Sequence, residues 1–163
     1  MSLISLGVDP GLYKTGYALI DDNKGKPKLL EAGLIKPKSK DGLDNRLFLI
    51  YTELSKIIEE FKVGILIVEE LYSHYAHPKT AILMGHARGV VCMLAAQYKI
   101  PLYGYSATMV KKLITGNGRA TKEQVRRGVF YSLNLREQSI ISDVSDAIAI
   151  ALAHFYSETR MKV

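Results

Sequence analysis

The 163-residue chain has a single cysteine, Cys92, and no tryptophan. One thiol builds no disulfide framework within a chain, so the fold must rest on its own core, and a reducing cytoplasm is the expected compartment. The four histidines form no cluster with the cysteine of the kind that holds zinc. Long hydrophobic runs are missing too. The longest are strand-length or broken by Gly, His, Arg and Lys, so no membrane span is expected. The opening MSLISLGVDPG has neither a basic segment nor a small-residue cleavage site, and no secretory signal is expected. Repeats, low-complexity tracts and linkers are absent, which points to one domain over residues 1–163. Acids are in deficit: 16 Asp and Glu against 22 Lys and Arg leave +6. That mild excess biases the protein toward a polyanionic partner.

What is present is the balance of an ordinary globule, 48% hydrophobic and 23% charged. Residues 2–8 alternate and then run apolar, predicting a strand that ends at Asp9-Pro10-Gly11. Residues 15–20 predict a second strand, Asp21 to Gly25 a turn, and residues 28–35 a third strand. Leu47, Ile50, Leu54, Ile57, Ile58 and Phe61 lie at helical spacing within 43–61. The aliphatic run Ile65 to Val68 predicts a strand covered on both faces. Helices are expected over 78–99, 121–133 and 142–157, with Thr121 and Ser142 as N-caps, and a further strand over 100–105. The order βββ-α-β-α-β-α-α predicts an α/β fold, a mixed sheet with helices on its faces.

Four acids stand in apolar company. Asp9 and Glu69 each end an apolar strand, and helical crossovers leave such strands parallel. Both therefore emerge at the carboxyl edge of the sheet, where open α/β sheets place ligands. Glu70 is the alternate to Glu69. Asp143 and Asp146 are three apart at the start of a helix whose remainder is apolar, hence on one face. Complementing the helix dipole would also explain them. Four carboxylates in one place cannot all ionise without a counter-charge. An oxygen-only ligand set favours Mg²⁺ or Mn²⁺. Two such ions would suit phosphodiester hydrolysis. The positive charge is unevenly spread, with one group of lysines in the first forty residues and a second group (Lys111, Lys112, Lys122, with Arg119, Arg126 and Arg127) around a glycine-bearing loop. Either group is a solvated face or a phosphate track.

Five ordered motifs run through the chain. They are Asp9-Pro10-Gly11 with Thr15-Gly16-Tyr17; Val68-Glu69-Glu70-Leu71-Tyr72; Gly85-His86-Ala87-Arg88-Gly89; the Gly116 to Val125 segment; and Asp143-Val144-Ser145-Asp146-Ala147. Together they resemble the RuvC family of Holliday-junction resolvases, within the RNase H-like superfamily, over nearly the whole length. The resemblance implies a bacterial or phage-encoded crossover junction endodeoxyribonuclease with a three-layer fold, a mixed five-stranded sheet carrying helices on both faces. It implies a cytoplasmic homodimer that nicks two opposed strands of a four-way junction symmetrically, with Mg²⁺, and a possible branch-migration helicase complex. By the same resemblance Asp9, Glu69, Asp143 and Asp146 are the catalytic, metal-binding acids and Lys122 stabilises charge on the scissile phosphate. Tyr72, Lys111, Arg119 and Lys122 are expected on the DNA. Tyr72 is equally a rim tyrosine, and the small-residue stripe Ala81, Gly85, Gly89 fits a dimer contact or packing on the chain's own sheet.

Alternatives of other kinds are a RuvC-like nuclease of broader branched-DNA or structured-RNA specificity, and a non-catalytic junction-binding protein. The opening Asp-Pro-Gly motif also resembles actin-like sugar kinases, but those need a duplicated second domain. His154 and Cys92 are expected in the core.

Overall fold

Strand alternation in the first thirty-five residues produces three antiparallel strands: β1 (Ile4–Asp9), β2 (Thr15–Asn23) and β3 (Lys26–Ile35). The computed structural model describes residues 3–23, 25–71, 78–135 and 142–161, with backbone alone at 78, 142, 143, 160 and 161. After β3 come α1 (Leu43–Phe61), β4 (Ile65–Glu69), α2 (Pro78–Tyr98), β5 (Leu102–Tyr105), α3 (Ala107–Thr115), α4 (Lys122–Leu133) and α5 (Ser142–Met161). The sheet order is β3-β2-β1-β4-β5, with β4 parallel to both β1 and β5.

Two elements depart from expectation. The second strand runs three residues past Ile20, because Asp21 to Asn23 continue the ladder with β3. The bend falls at Gly25 (φ 80°), whose N–H donates to the Asp22 carboxylate at 2.9 Å. The helix α3 was not expected. It is only nine residues long, but Ser106 caps it by accepting from Met109 N–H, and Gly116 ends it in the left-handed conformation.

Side-chain alternation sorts the sheet into two faces. Leu6, Val8, Leu66 and Val68 pack with Ile50, Leu54 and Ile58 of α1 and Val91 and Leu94 of α2. Ala18, Ile20, Ile65 and Ile67 pack on the other face with Val110, Val125, Val129 and the apolar side of α5. Each Leu or Ile so buried is worth ~1.5–3 kcal/mol. Helices therefore cover both faces, the three-layer arrangement expected. At Gly7 the approach is closest: a Cβ there would stand 2.7 Å from both the Ala147 carbonyl and the Ala151 N–H nitrogen of α5. No helix among the described residues is long and apolar enough to cross a membrane.

His154 is buried as expected, with its Nδ1 3.0 Å from the Tyr105 hydroxyl, and burial holds its pKa below the usual value. Cys92 differs from expectation. It is half-buried outside both core clusters, with the Arg88 guanidinium 3.8 Å from its Sγ.

Candidate active site

Parallel pairing of β1 and β4 puts Ser5 opposite Ile65 and Val8 opposite Val68. One residue further, Asp9 and Glu69 leave their strands at the same edge. Both fall in step with Gly7 and Ile67, on the face covered by α5. Glu70 is out of that phase. Its N–H donates to the Tyr105 carbonyl at 2.9 Å, and its side chain lies across Gly104, where an added Cβ would meet Glu70 Cγ at 3.0 Å.

The backbone contact at Gly7 brings the first turns of α5 to this edge. Asp146, Ala149 and Ile150, spaced for one helix face, line a cavity of about 290 Å³ together with Asp9 and Glu69. The far wall comes from α3 (Ala107, Val110, Lys111) and the start of α4 (Lys122, Val125). Lys122 is placed by a capping box. The Thr121 hydroxyl accepts from Gln124 N–H at 3.2 Å, and the Gln124 side chain accepts from Thr121 N–H at 2.8 Å. From there Lys122 Nζ reaches to 3.4 Å from Asp146 Oδ2.

The site carries surplus negative charge. Burial first, and then the charges of Asp9 and Asp146, push the Glu69 carboxyl up to about 7, with Lys122 and Lys111 pulling the other way. The lysines thus offset only part of the repulsion. A carboxyl held this high is a group awaiting a cation or a proton.

Of the residues expected in the site, the structure brings together Asp9, Glu69, Asp146, Lys111 and Lys122. Asp143 lies in the first turn of α5, and its side chain is outside the described residues, as is Tyr72. Arg119 does not line the cavity. It is exposed on the loop between α3 and α4, its N–H held by the Asn117 side chain at 2.9 Å. Among the described residues no three acids or histidines stand close enough to ligate one ion as they are. Sequence reading missed the apolar wall of Ala107 and Val110, because it missed α3. The Ser106 cap and the Gly116 stop were the signal.

Comparison with known proteins agrees with this fold. The family profile of crossover junction endodeoxyribonuclease RuvC matches residues 5–154. The RuvC of Rhodopirellula baltica is 47% identical over 151 residues, covering 93% of this chain and 85% of that protein. That of Halothermothrix orenii is 40% identical over 152 residues, covering 93% and 92%. Among solved structures, Thermus thermophilus RuvC in complex with a Holliday junction substrate superposes with a TM-score of 0.89 at 29% identity, covering 98% of this chain and 96% of that one. A five-stranded mixed sheet between two helical layers, with paired strand-end acids facing an apolar helix that brings its own, is thus met together with a family match over almost the whole chain: the protein belongs to the RuvC family of crossover junction endodeoxyribonucleases.

Proposed function

We propose that this chain resolves four-way DNA junctions by paired, symmetric nicks, and that its whole length acts as one nuclease domain in the cytoplasm. The observation that carries the reading is the cavity shared by Asp9, Glu69, Asp146, Lys111 and Lys122 at the sheet edge, in a chain so similar to RuvC proteins. The solved Thermus relative holds a Holliday junction substrate, which supports the same substrate here.

The donor set fits two hard divalent ions, Mg²⁺ or Mn²⁺ in its place. Its donors are carboxylate oxygens, its lysines leave charge uncompensated, and Glu69 is raised by burial first and then by the charges of Asp9 and Asp146. Asp9, Glu69, Asp146 and, by its helical spacing from Asp146, Asp143 would hold them. When bound, such ions polarise water and phosphate and neutralise the charge that develops on cleavage. The chain's own residues do the rest. Asp9 and Glu69 are fixed by strand register and Asp146 by α5, so the backbone is in place and only the carboxylate side chains would have to turn inward to close on an ion. Lys122 pairs with Asp146 only across a mostly exposed 3.4 Å contact, a bond of small net worth. Its ammonium is therefore available to the scissile phosphate. Lys111 adds a second positive charge from the same wall, facing the acids, and Arg119, on the adjoining loop, extends the basic track.

A homodimer fits the outer side of α2, where Ile82, His86, Gly89 and Met93 are exposed along one stripe. Among the described residues, a Cβ added to Gly89 would meet nothing within 4 Å, which favours the dimer over packing on the sheet as the use of that small residue. A branch-migration helicase is a further partner by family resemblance.

The test is cleavage of a labelled mobile four-way junction in Mg²⁺, beside linear duplex, a splayed fork and structured RNA. Paired symmetric nicks confined to the junction are expected. Equal cutting of forks or RNA would replace the reading with a broader nuclease, and binding without cutting would leave a junction-binding protein.

The metal reading makes a separate prediction on stability. Because the Glu69 carboxyl titrates near 7 in the fold and near 4.3 unfolded, the stability it lends is complete below its unfolded pKa and is lost as pH rises through 7. The melting temperature of metal-free protein should fall from pH 5 to 8, and Glu69→Gln should flatten that fall. At pH 8, Mg²⁺ should raise the melting temperature of the parent protein more than that of Glu69→Gln, since ligand binding to the native state is stabilising. No response to Mg²⁺ in calorimetry at pH 8 would remove the carboxylates as its ligands.

A further inference from the structure

Four residues beyond Asp9, the side chain of Tyr13 is 66% exposed on a loop that is otherwise clamped. The Thr15 hydroxyl donates to the Gly11 carbonyl at 2.8 Å and accepts from Gly11 N–H at 3.3 Å, closing the turn. A Cβ on Gly11 would stand 2.5 Å from the Lys14 carbonyl oxygen, so the turn has room only for glycine. Leu12 is buried in the α1–α2 core. Arg46 of α1, only 7% exposed, fixes the loop to its surroundings. Its Nε donates to the Asp41 carbonyl at 2.8 Å, and its two Nη atoms to the carbonyls of Ser39 at 2.7 Å and Leu12 at 3.4 Å. The guanidinium carbon then lies 4.7 Å from the centre of the Tyr13 ring.

The ring is therefore held against a buried cation while most of its surface faces water. It also forms one wall of a groove of about 290 Å³, completed by Gly11, Leu12 and Lys14 of the loop and Thr80, Leu83 and Met84 of α2. An aromatic fixed in place loses little entropy on stacking, and an apolar slot with a lysine at its rim matches a nucleobase and its phosphate. Four residues of chain put at most ~14 Å between the Cα atoms of Asp9 and Tyr13, so a base in this groove lies within a few nucleotides of any phosphate held at Asp9.

We propose that Tyr13 is a stacking platform and that its groove takes a nucleobase unstacked at the junction crossover, within a few nucleotides of the scissile phosphate, which makes Tyr13 a determinant of where the junction is cut. The proposal rests on the resolvase reading. A purely structural Tyr13, covering Arg46, would show itself in melting temperature and not in DNA binding.

The chain lacks tryptophan, so Tyr13→Trp installs its sole indole. In an Asp146→Asn background, which keeps the DNA intact, a mobile four-way junction should quench the fluorescence of that indole, while saturating linear duplex leaves it unchanged. Tyr13→Ala should weaken junction binding roughly ten- to a hundredfold, the usual loss for one stacked base, with altered cut-site preference and an unchanged melting temperature. Should Tyr13→Ala fail to fold, the Trp signal alone decides. Binding without quenching, or equal quenching by duplex, overturns the proposal. So does a signal that changes with protein concentration in the absence of DNA, since a second copy then fills the groove. If the parent protein cuts no junction, it is the resolvase reading that fails.

Discussion

Asn in place of Asp146 will leave a protein that folds, binds the four-way junction and does not cut it, with a fall of at least ~10³ in cleavage rate. Asp146 sits on the face of α5 that lines the cavity, with Asp9 and Glu69 across from it. Its charge is among those that push the Glu69 carboxyl upward. On the proposed reading, removing that charge takes away a metal ligand, and each 1.36 kcal/mol lost from transition-state stabilisation is about tenfold in rate. A metal ion supplies several kcal/mol, so a thousandfold loss is the modest end. Folding should not suffer. Asp146 is partly exposed, its contact with Lys122 is a surface pair, and the change relieves repulsion on Glu69. Single-turnover cleavage and gel-shift titration of one preparation separate the effects. Cleavage within tenfold of the parent would remove Asp146 from the site. Unaltered cleavage together with lost binding would make it a DNA contact instead.

That the carboxylates could be found in the sequence follows from strand geometry. An acid directly after a buried aliphatic run has one place to be, the end of the strand, and two such strands joined by a helix are parallel. Period-two alternation also separates Glu69 from Glu70, because Ile65 and Ile67 define the face toward α5. Composition and spacing showed Lys111 only as one of a basic group, and it was the family resemblance that singled it out. Its wall of the cavity is α3, nine residues with two buried positions, Val110 and Leu113. So short a segment has little periodicity, and its evidence lies in its ends, Ser106 and Gly116. The role of Arg46 was hidden for another reason. Nothing local distinguishes a solvated arginine on an amphipathic helix from one whose donors meet backbone carbonyls of Leu12, Ser39 and Asp41. Only the tertiary fold brings those carbonyls to one point.

Gly7 shows the same limit with the largest expected effect on stability. In sequence it is a glycine inside a strand, which weakens the strand unless another backbone comes close. In the fold that backbone is α5, and it carries Asp146. Gly7→Ala should cost ~3 kcal/mol or more, since the added Cβ would press on main-chain atoms at Ala147 and Ala151 rather than on a side chain that could turn away. At about 2–4 °C per kcal/mol for a chain of this size, the melting temperature should fall by roughly 6–12 °C. Cleavage should suffer beyond the loss of folded protein. A helix displaced from the sheet carries Asp146 away from Asp9 and Glu69, and an error of ~1 Å in such a site costs about a hundredfold. The added methyl would also stand 2.8 Å from Ala151 Cβ, so Ala151→Gly tests which contact matters. Removing that Cβ leaves both main-chain contacts in place, and the double variant should recover little of either loss. Full rescue of melting temperature and cleavage by Ala151→Gly would show that the helix meets the strand through side chains, and that its position tolerates Cβ atoms at Gly7. Little rescue, with folded protein still present by circular dichroism, is the result that ties the placement of Asp146 to the missing side chain of one glycine.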